Sequence, residues 1–528
     1  MLLTGTDHHL TGLGQMVELL MDSPVHRGKP GHEGYLTEHV ATLPEVLRDS
    51  AGYYTVMSGK WHLGVELEHC PQARGFERSF ALLAPAANHF AWEPEIESPD
   101  SKRLPKFARV NVMALHAEDG HYVDNSDLPN DFYSSDFYVD KLIEQLDAKP
   151  EDNPFFAYLP FSAPHWPFQA PQEDIQPYRG YYDDGPEALR QRRLAALKKE
   201  GLVPQDVVPH PVLDPEVPEW SSMTPEQRAK SARAMEAYAG MVTRMDHNVG
   251  RIISYLIERD MYEDTKIIFC SDNGAEGFSY EAQPLAGPKI LRYLSKYYDN
   301  SLENIGNKTS FVWYGGRWAQ AATAPSRLYK KYSTEGGVRV PFILKPSKDI
   351  PYKASICHDF CSVEDLMPTL VDQAGVSIPR NHYNGRDIKP IRGASWLPFL
   401  RGATSHPHPP DYVAGWELFG QAALRKGSWK INFVNKPFGQ EQWELHNLVE
   451  DPGETKDLAN ERKDKLEELL KHWREYVQEV GVVGLTPETR RMAAELPDEM
   501  ADPTAWMRFG TSRSVAEREK RRRREMVA

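Results

Sequence analysis

The chain has 528 residues, and its 62 basic and 76 acidic side chains give a formal net charge of −14 with histidine neutral. Hydrophobic residues make up 40% and aromatic residues 11% of the sequence, which excludes a disordered, collagenous or disulfide-stapled chain. The mean hydropathy is −0.58, and the absence of any apolar run near about 18 residues excludes a membrane-spanning helix. We expect more than one core, because single cores stop growing at about 250–300 residues.

The N-terminal residues do not combine a basic segment with an apolar stretch, so no signal peptide is visible and a cytoplasmic location is the default expectation. The acidic balance argues against nucleic acid as a partner, and the basic run 518–524 is interpreted as part of a solvated tail. Cys357 and Cys361 are interpreted as packing on one helix face. The cysteines are too few for a disulfide framework in a chain of this size: Cys70, Cys270, Cys357 and Cys361.

Short apolar runs alternate with helical stretches up to about residue 400, which predicts an α/β domain with a large, mostly parallel sheet flanked by helices. Thr224, Pro225 and Gln227 form the cap, first position and capping box of a long predicted helix that ends near Leu256. The segments 93–128 and 176–218 lack a clear period and are predicted to be surface excursions. The predicted strands are 53–57, 154–159, 265–270 and 338–344.

After the proline-dense segment 404–410 the sequence predicts a small antiparallel sheet, with a turn at Lys426-Gly427. A helix with apolar residues on one face over 466–480 follows and is expected to pack on that sheet. We therefore divide the chain into a large α/β domain at 1–403, an α+β subdomain at 404–500 and a basic, disordered tail at 501–528.

Polar side chains follow three of the predicted strands, at the edge of the sheet where parallel strands end. Lys60 and His62 follow the first, and in extended backbone both would point the same way. His165 follows the second, in a loop stiffened by prolines. Asp272 and Asn273 follow the third and offer hard oxygen ligands suited to calcium or magnesium.

Taken singly, each of these signals has an ordinary structural explanation. A lone histidine is more often a packing residue, Asp-Asn-Gly is a common turn, and lysine is mostly solvated. Their convergence on one sheet edge is what favours a functional site. The aromatic segment 313–318 is equally compatible with a wall over an organic leaving group and with a packed aromatic cluster.

An ordered set of short motifs spans most of the chain and includes Leu-Thr-Gly at 3–5, Gly-Lys-Trp-His-Leu-Gly at 59–64, Ala-Pro-His at 163–165, Ser-Asp-Asn-Gly-Ala-Glu at 271–276, Pro-Ser-Arg-Leu-Tyr-Lys at 325–330 and Glu-Gly-Gly-Val-Arg-Val-Pro at 335–341. With these motifs the chain resembles the sulfatases of the alkaline-phosphatase superfamily, most closely the arylsulfatase and alkylsulfatase branch. The resemblance implies an alkaline-phosphatase-like fold and the calcium-assisted hydrolysis of small organic sulfate esters, with formylglycine made from cysteine or serine as the nucleophile.

The resemblance also implies a role for each matching residue. Lys60 and Lys330 resemble the lysines that hold the sulfate oxygens. His165 resembles the histidine that contacts sulfate and assists the leaving group, and His62 the one that assists collapse of the covalent sulfate adduct. Fixed cations are well suited to the charge that develops on a transferring sulfuryl group.

The chain also departs from the family pattern. In the family, Leu-Thr-Gly follows a Cys/Ser-x-Pro-x-Arg motif, and a paired aspartate on the first strand completes the calcium shell. This chain begins after both positions, and the segments 23–27, 70–74 and 323–327 do not replace the motif. We therefore expect an N-terminally incomplete, truncated chain without the formylglycine precursor. Its missing strand would leave backbone groups unpaired and folding marginal. Asp272 and Asn273 would form an incomplete shell for one Ca²⁺, which takes about 6–8 oxygens.

Three hypotheses follow from the sequence. The first is an arylsulfatase-like hydrolase that cleaves small-molecule sulfate esters to alcohol or phenol plus sulfate, without nucleic-acid or membrane partners. The second is a catalytically inert sulfatase paralogue or fragment that binds anions. The third is a phosphate mono- or diesterase of the same superfamily. The sequence determines neither the physiological substrate nor the oligomeric state.

Overall fold

The structure is a computed structural model that describes residues 1–20, 23, 25–93, 114–215, 217–277, 294–351, 354–484 and 507. The described α-helices are α1 (Val17–Leu20), α2 (Leu43–Ala51), α3 (Ser134–Asp147), α4 (Gln172–Ile175), α5 (Pro186–Lys199), α6 (Pro225–Glu258), α7 (Gly316–Ala322), α8 (Glu335–Val338), α9 (Leu366–Gln373), α10 (Leu397–Leu400) and α11 (Lys463–Val480). The described strands are β1 (Tyr54–Lys60), β2 (Arg78–Leu82), β3 (His116–Glu118), β4 (His121–Val123), β5 (Phe155–Tyr158), β6 (Ile267–Cys270), β7 (Phe342–Lys345), β8 (His382–Tyr383), β9 (Arg386–Asp387), β10 (Val413–Leu418), β11 (Gln421–Lys426), β12 (Trp429–Phe433) and β13 (Trp443–Asn447). Among these helices, none has both the length and the apolar character that a membrane span requires.

A mixed five-stranded sheet forms the centre of the large domain, in the order β4-β3-β2-β1-β5. Strand β1 runs parallel to β2 and β5, whereas β3 runs antiparallel to β2 and β4. Val56 and Met57 of β1 are fully buried in two different clusters, as successive strand residues on opposite faces of a sheet should be. Val56 packs with Leu142 of α3 and Leu256 of α6. The predicted sheet flanked by helices is confirmed.

Helix α6 begins as the sequence predicts. Thr224 accepts a hydrogen bond from the backbone of Gln227, whose side chain in turn accepts one from the backbone of Thr224. This capping box and Pro225 satisfy the first turn, and the helix then continues for 34 residues. Its buried side chains, including Met235 and Met241, join the largest described core cluster.

The two predicted surface excursions contain regular structure that the sequence pattern did not reveal. The segment 176–218 contains α5, and β3 and β4 form a hairpin within 93–128, of which residues 94–113 lie outside the described part of the chain. Arg190 explains why the period of α5 is hidden. It is only 3% exposed and donates hydrogen bonds to the carbonyl oxygens of Gln320, Pro325 and Ser326. A buried cation therefore occupies a position where an apolar residue would have signalled a helix.

The strand predicted at 338–344 is displaced and changes partner. Helix α8 ends at Val338, the first residue of that segment. Strand β7 begins at Phe342 and pairs antiparallel with β6 in a separate two-stranded sheet. Within the described residues, β5 pairs only with β1, and β6 only with β7. Apolar side chains of this second sheet are accordingly exposed, with Phe269 at 36%, Phe342 at 37% and Ile343 at 63%.

The C-terminal region forms the predicted antiparallel sheet, in the order β10-β11-β12-β13. Gly427, with a φ of 59°, makes the turn between β11 and β12. Helix α11 packs on this sheet through Leu469, Trp473 and Tyr476. The domain boundaries remain predictions, and Met507 is the one described residue of the predicted tail 501–528. The interpretation of Cys357 and Cys361 as helix-face packing is wrong, because both are exposed outside any described helix.

Candidate functional site

Three loops of the large domain meet behind the carboxyl ends of β5 and β6. The backbone N–H of Lys330 donates to the carbonyl of Ala275 at 3.0 Å, and that of Gly274 donates to the carbonyl of Gly337 at 2.9 Å. A Cβ at Gly274 would lie 1.9 Å from the carbonyl oxygen of Gly336, so only glycine fits this approach. These contacts bring Glu276, which follows β6, to Lys330.

The side chains of Lys330, His165 and Glu276 are in direct contact, and we call them the Lys330 cluster. Lys330 Nζ lies 2.5 Å from Glu276 Oε2 and 3.5 Å from His165 Nε2. His165 Nε2 lies 3.5 Å from the same carboxylate oxygen. The three side chains are between 13% and 24% exposed, so solvent and a small ligand can reach the cluster.

His165 is oriented and kept neutral by its surroundings. Its Nδ1–H donates to the carbonyl oxygen of Trp166 at 2.9 Å, which leaves Nε2 facing the Lys330 cluster. Burial and then the charge of Lys330 lower the pKa of His165 to about 4. Burial by itself would raise the pKa of Glu276, but Lys330 and then His165 hold it well below its usual range. At neutral pH the cluster therefore holds an ammonium, a carboxylate and a neutral imidazole.

Lys60 adds a second positive charge to this region from the end of β1. Its backbone N–H donates to the carbonyl of Pro160 at 2.7 Å, which fixes the end of β1 beside the chain that leads to His165. Its charge contributes to the lowered pKa of both His165 and His89. The extended backbone that underlies the expected pairing of His62 with Lys60 does not reach His62, which is in the left-handed region with a φ of 52°. The predicted role of His62 stays a prediction.

The loop that carries Lys330 is held at both ends by the C-terminal sheet. Arg327, three residues before it, forms a buried ion pair with Glu444 of β13. Glu335, five residues after it, lies 2.8 Å from Lys430 Nζ on β12, and its backbone N–H donates to Glu454 at 2.8 Å. The small sheet therefore positions a residue of the large domain.

Asp272 and Asn273 lie on the same loop as Glu276 but outside the Lys330 cluster. Asp272 is exposed, and within the described residues its carboxylate makes no hydrogen bond or ion pair. Its charge adds to the effect of burial in raising the pKa of Tyr158, which places it near the end of β5. The two side chains offer two or three oxygens, whereas Ca²⁺ takes about 6–8. They therefore form only part of a calcium shell.

The segment 323–327 has the spacing of the formylglycine motif but begins with threonine. Thr323 Oγ1 donates to the carbonyl oxygen of Leu328 at 2.8 Å, and the segment is part of the loop that leads to Lys330. None of the four cysteines stands in a Cys-x-Pro-x-Arg segment. The residues of this chain therefore do not fit formylglycine chemistry.

The aromatic segment 313–318 is a packed cluster and not a wall over the site. Trp313 and Trp318 are 1% and 2% exposed within the largest core cluster. Trp318 Nε1 donates to Ser231 Oγ at 2.9 Å, as a buried indole usually requires a partner.

Two site residues were missed by sequence reasoning. Glu276 ends the Ser-Asp-Asn-Gly-Ala-Glu motif, and a carboxylate four residues after Asp272 on one loop was a usable signal. His89 lay in no motif. Its Nδ1 lies 2.8 Å from Ser134 Oγ, and its Nε2 lies 3.0 Å from the carbonyl oxygen of His165. His89 therefore supports the backbone of the residue that faces Lys330.

The fold and this site define the class of protein. The model of the sulfatase family matches residues 1–376, and the chain belongs to that family, whose enzymes hydrolyse sulfate esters. It is 48% identical over 487 residues to an uncharacterized sulfatase of Schizosaccharomyces pombe, covering 92% of this chain and 85% of the relative. It is 35% identical over 400 residues to an arylsulfatase of Klebsiella aerogenes, covering 75% and 80% of the two chains.

Solved structures share the fold at lower sequence identity. The structure of Ps i-CgsB superimposes with a TM-score of 0.59 at 21% identity, covering 95% of this chain and 86% of that one. The structure of BT4656, solved in complex with its substrate D-glucosamine-2-N,6-O-disulfate, gives a TM-score of 0.54 at 17% identity, covering 91% and 87%. The alkaline-phosphatase-like fold is thereby confirmed.

Proposed function

We propose that the chain hydrolyses aryl sulfate esters by attack of water on sulfur, which forms a new S–O bond as the bond to the aryl oxygen breaks. Lys330 and Lys60 bind the sulfate group, His165 acts at the leaving oxygen, and His62 assists the later release of sulfate. The observation that carries the proposal is the contact of Lys330 with His165 at 3.5 Å in a partly open cluster. A cation next to a proton-transfer group suits an anionic substrate whose leaving oxygen gains charge.

The charges of the cluster support sulfate binding. A sulfate ester carries its negative charge on the non-bridging oxygens, and charge moves to the leaving oxygen as the S–O bond breaks. The side chain of Lys330 is 24% exposed although it contacts Glu276, so a sulfate group can approach it from solvent. Glu276 then orients the lysine, and Lys60 offsets further negative charge.

The neutral state of His165 favours aryl over alkyl substrates. With a pKa of about 4, His165 carries no proton on Nε2 at neutral pH before substrate binds. A phenol is a stronger acid than an aliphatic alcohol, so a phenolate leaves with less help from a proton donor. A bound sulfate also offsets the charge of Lys330, which raises the pKa of His165 and lets it donate later in the reaction.

Calcium has a lesser place in the proposal. We expect Asp272 and Asn273 to bind one Ca²⁺ weakly, because they supply only part of the usual shell. When bound, calcium would add a further positive charge near the sulfate. Isothermal titration of calcium into the purified chain, with Asp272→Asn as the comparison, measures this affinity. Unchanged binding in Asp272→Asn would contradict the assignment.

The test of the function compares 4-nitrophenyl sulfate, an alkyl sulfate and 4-nitrophenyl phosphate under identical conditions, with and without calcium. We expect the aryl sulfate to be cleaved fastest and Lys330→Met to lose that activity. Faster cleavage of the phosphate ester would favour a phosphatase of the same superfamily. Saturable binding of inorganic sulfate without turnover of any ester would favour an inert sulfatase paralogue.

A further inference from the structure

A second cluster of metal-ligating side chains lies in the N-terminal segment and shares no residue with the Lys330 cluster. Asp7, His8 and His9 each offer one ligand atom, and these atoms all lie within 4.8 Å of one another. Asp7 Oδ1 is 2.8 Å from His9 Nδ1 and 3.5 Å from His8 Nδ1. Among the described residues, no other set of three His, Cys, Asp or Glu side chains converges in this way.

Each of the three side chains is held from behind by the C-terminal region. His9 Nε2 lies 3.0 Å from the carboxylate of Glu417 on β10, and His8 Nε2 lies 2.9 Å from the backbone carbonyl of the same residue. Tyr476 of α11 donates to Asp7 Oδ2 at 2.6 Å. Metal-binding histidines and carboxylates typically have such partners on the atom that does not bind the metal, since these fix tautomer and orientation.

The hydrogen bond behind His8 determines its tautomer. A carbonyl oxygen can only accept, so His8 Nε2 carries the proton and a neutral His8 directs the Nδ1 lone pair toward Asp7 Oδ1. Two electron pairs facing each other at 3.5 Å repel unless a cation lies between them. A neutral His9 that donates from Nε2 to Glu417 has the same arrangement, with its Nδ1 lone pair facing Asp7, whereas a protonated His9 donates to both carboxylates.

We propose that Asp7, His8 and His9 bind one divalent transition-metal ion of the Zn²⁺ class, through Oδ1 and the two Nδ1 atoms. Zinc binds nitrogen and carboxylate oxygen at about 2.0–2.2 Å, so neighbouring ligands of a tetrahedral ion lie about 3.3–3.6 Å apart. The 3.5 Å contact already fits this spacing, and the 2.8 Å contact must lengthen by about half an ångström. His8 is 21% exposed, which gives an entry path and room for a water as fourth ligand.

The ion would join the N-terminal segment to the C-terminal sheet and helix. Without metal, a second proton on His9 can bridge Asp7 and Glu417, and this competing arrangement accounts for the contacts of His9. It does not account for His8, whose Nδ1 also faces Asp7. The carboxylates of Asp7 and Glu417 favour a positive charge on His9, so His8 is the residue that distinguishes the two arrangements.

The test uses the full chain, purified without a histidine tag and treated with a chelator that is then removed. Zinc is added and the excess is removed by gel filtration. The retained zinc is measured by inductively coupled plasma mass spectrometry. We expect one equivalent of zinc and a higher midpoint of thermal unfolding. Cobalt in place of zinc should give the visible spectrum of a nitrogen and oxygen site. No retained zinc, or a cobalt–thiolate charge-transfer band from the cysteines, would overturn the proposal.

Three variants separate this site from adventitious binding. His8→Gln keeps a donor for the Glu417 carbonyl but lacks Nδ1, and it should lose the bound zinc. Tyr476→Phe removes only an outer partner and should weaken zinc affinity about 10–100-fold. The matched control is His408→Gln, because His408 is a buried histidine that contacts Asp365 at 2.7 Å without a third ligand. Equal zinc retention by His8→Gln and the control would contradict the assignment.

Discussion

Two clusters of this molecule pair a lysine with carboxylates, but they differ in how exposed the lysine is. Lys430 is completely buried, and its Nζ lies 2.8 Å from Glu335 and 3.1 Å from Glu454. Glu454 also accepts hydrogen bonds from the backbone of Glu335 and from Asn432. Lys330 contacts the carboxylate of Glu276 and the neutral imidazole of His165, and its side chain is 24% exposed.

The difference lies in what remains for a ligand. The charge of Lys430 is matched by two carboxylates in a closed space, so the cluster is suited to holding β12 against the loop of the large domain. The Lys330 cluster is partly exposed, and its carboxylate also contacts His165, a group that can exchange a proton. The exposure of a paired lysine, and the other groups that it contacts, therefore indicate whether its role is structural or functional.

The largest expected effect is on stability. Lys430→Met removes the cation and leaves Glu335 and Glu454 buried together, which should lower the free energy of unfolding by about 3–5 kcal/mol. Urea denaturation followed by circular dichroism measures the change. Lys436→Met, at a lysine 67% exposed, is the control and should change stability by less than about 1 kcal/mol. A stable Lys430→Met variant would contradict the structural role.

The converse effect is expected at Lys330. Lys330→Met should reduce kcat/KM for an aryl sulfate about 10²–10³-fold, because one preorganised donor to the developing charge is lost. The free energy of unfolding should fall less than in Lys430→Met, since the site is partly open. Affinity for inorganic sulfate, measured by calorimetry, should weaken in parallel and does not depend on turnover. Unchanged sulfate affinity would show that Lys330 does not bind sulfate.

A smaller effect is expected for Glu276→Gln, which keeps the shape of the side chain and removes its charge. Lys330 would then interact more strongly with sulfate, so KM should fall, while loss of the carboxylate that stabilises protonated His165 should lower kcat about tenfold. Steady-state kinetics with an aryl sulfate separates the two constants. A rise in kcat would show that Glu276 only competes with the substrate.

The smallest effect is on the titration of His165. Its pKa of about 4 is lowered by burial and then by Lys330, so Lys330→Met should raise it toward the ordinary value. The sign follows because removal of a neighbouring cation favours the protonated imidazole. Carbon-13 NMR of the histidine Cε1 resonances against pH measures the shift, with Lys436→Met as control. An unchanged pKa would mean that burial alone acts on His165.

Local signals in the sequence predicted much of the fold because they lie within one element. The cap at Thr224 and the turn at Lys426-Gly427 each depend on a few adjacent residues, and both are confirmed. The failures came from partners distant in sequence. Arg190 hides the period of α5 because its hydrogen bonds reach carbonyls more than 100 residues away, and β7 pairs with β6 and not with the main sheet.

The site shows the same division. Motifs pointed to Lys60, His165 and Lys330 as individual residues, and the structure places Lys330 and His165 in contact. The role of Glu276 depends on the approach of two loops at Gly274, and no short segment encodes that approach. The assigned roles remain predictions for all six residues, which are Lys60, His62, His165, Lys330, Asp272 and Asn273.

The contacts between the C-terminal sheet and the Lys330 loop bear on which residues must fold together. The match to the sulfatase family model ends at residue 376, yet Arg327 and Glu335 find their partners at Glu444, Lys430 and Glu454. A fragment that ended with the family match would contain buried charges without these counterions beside Lys330. We therefore expect such a fragment to fold poorly, because the small sheet supports the loop that carries the candidate site.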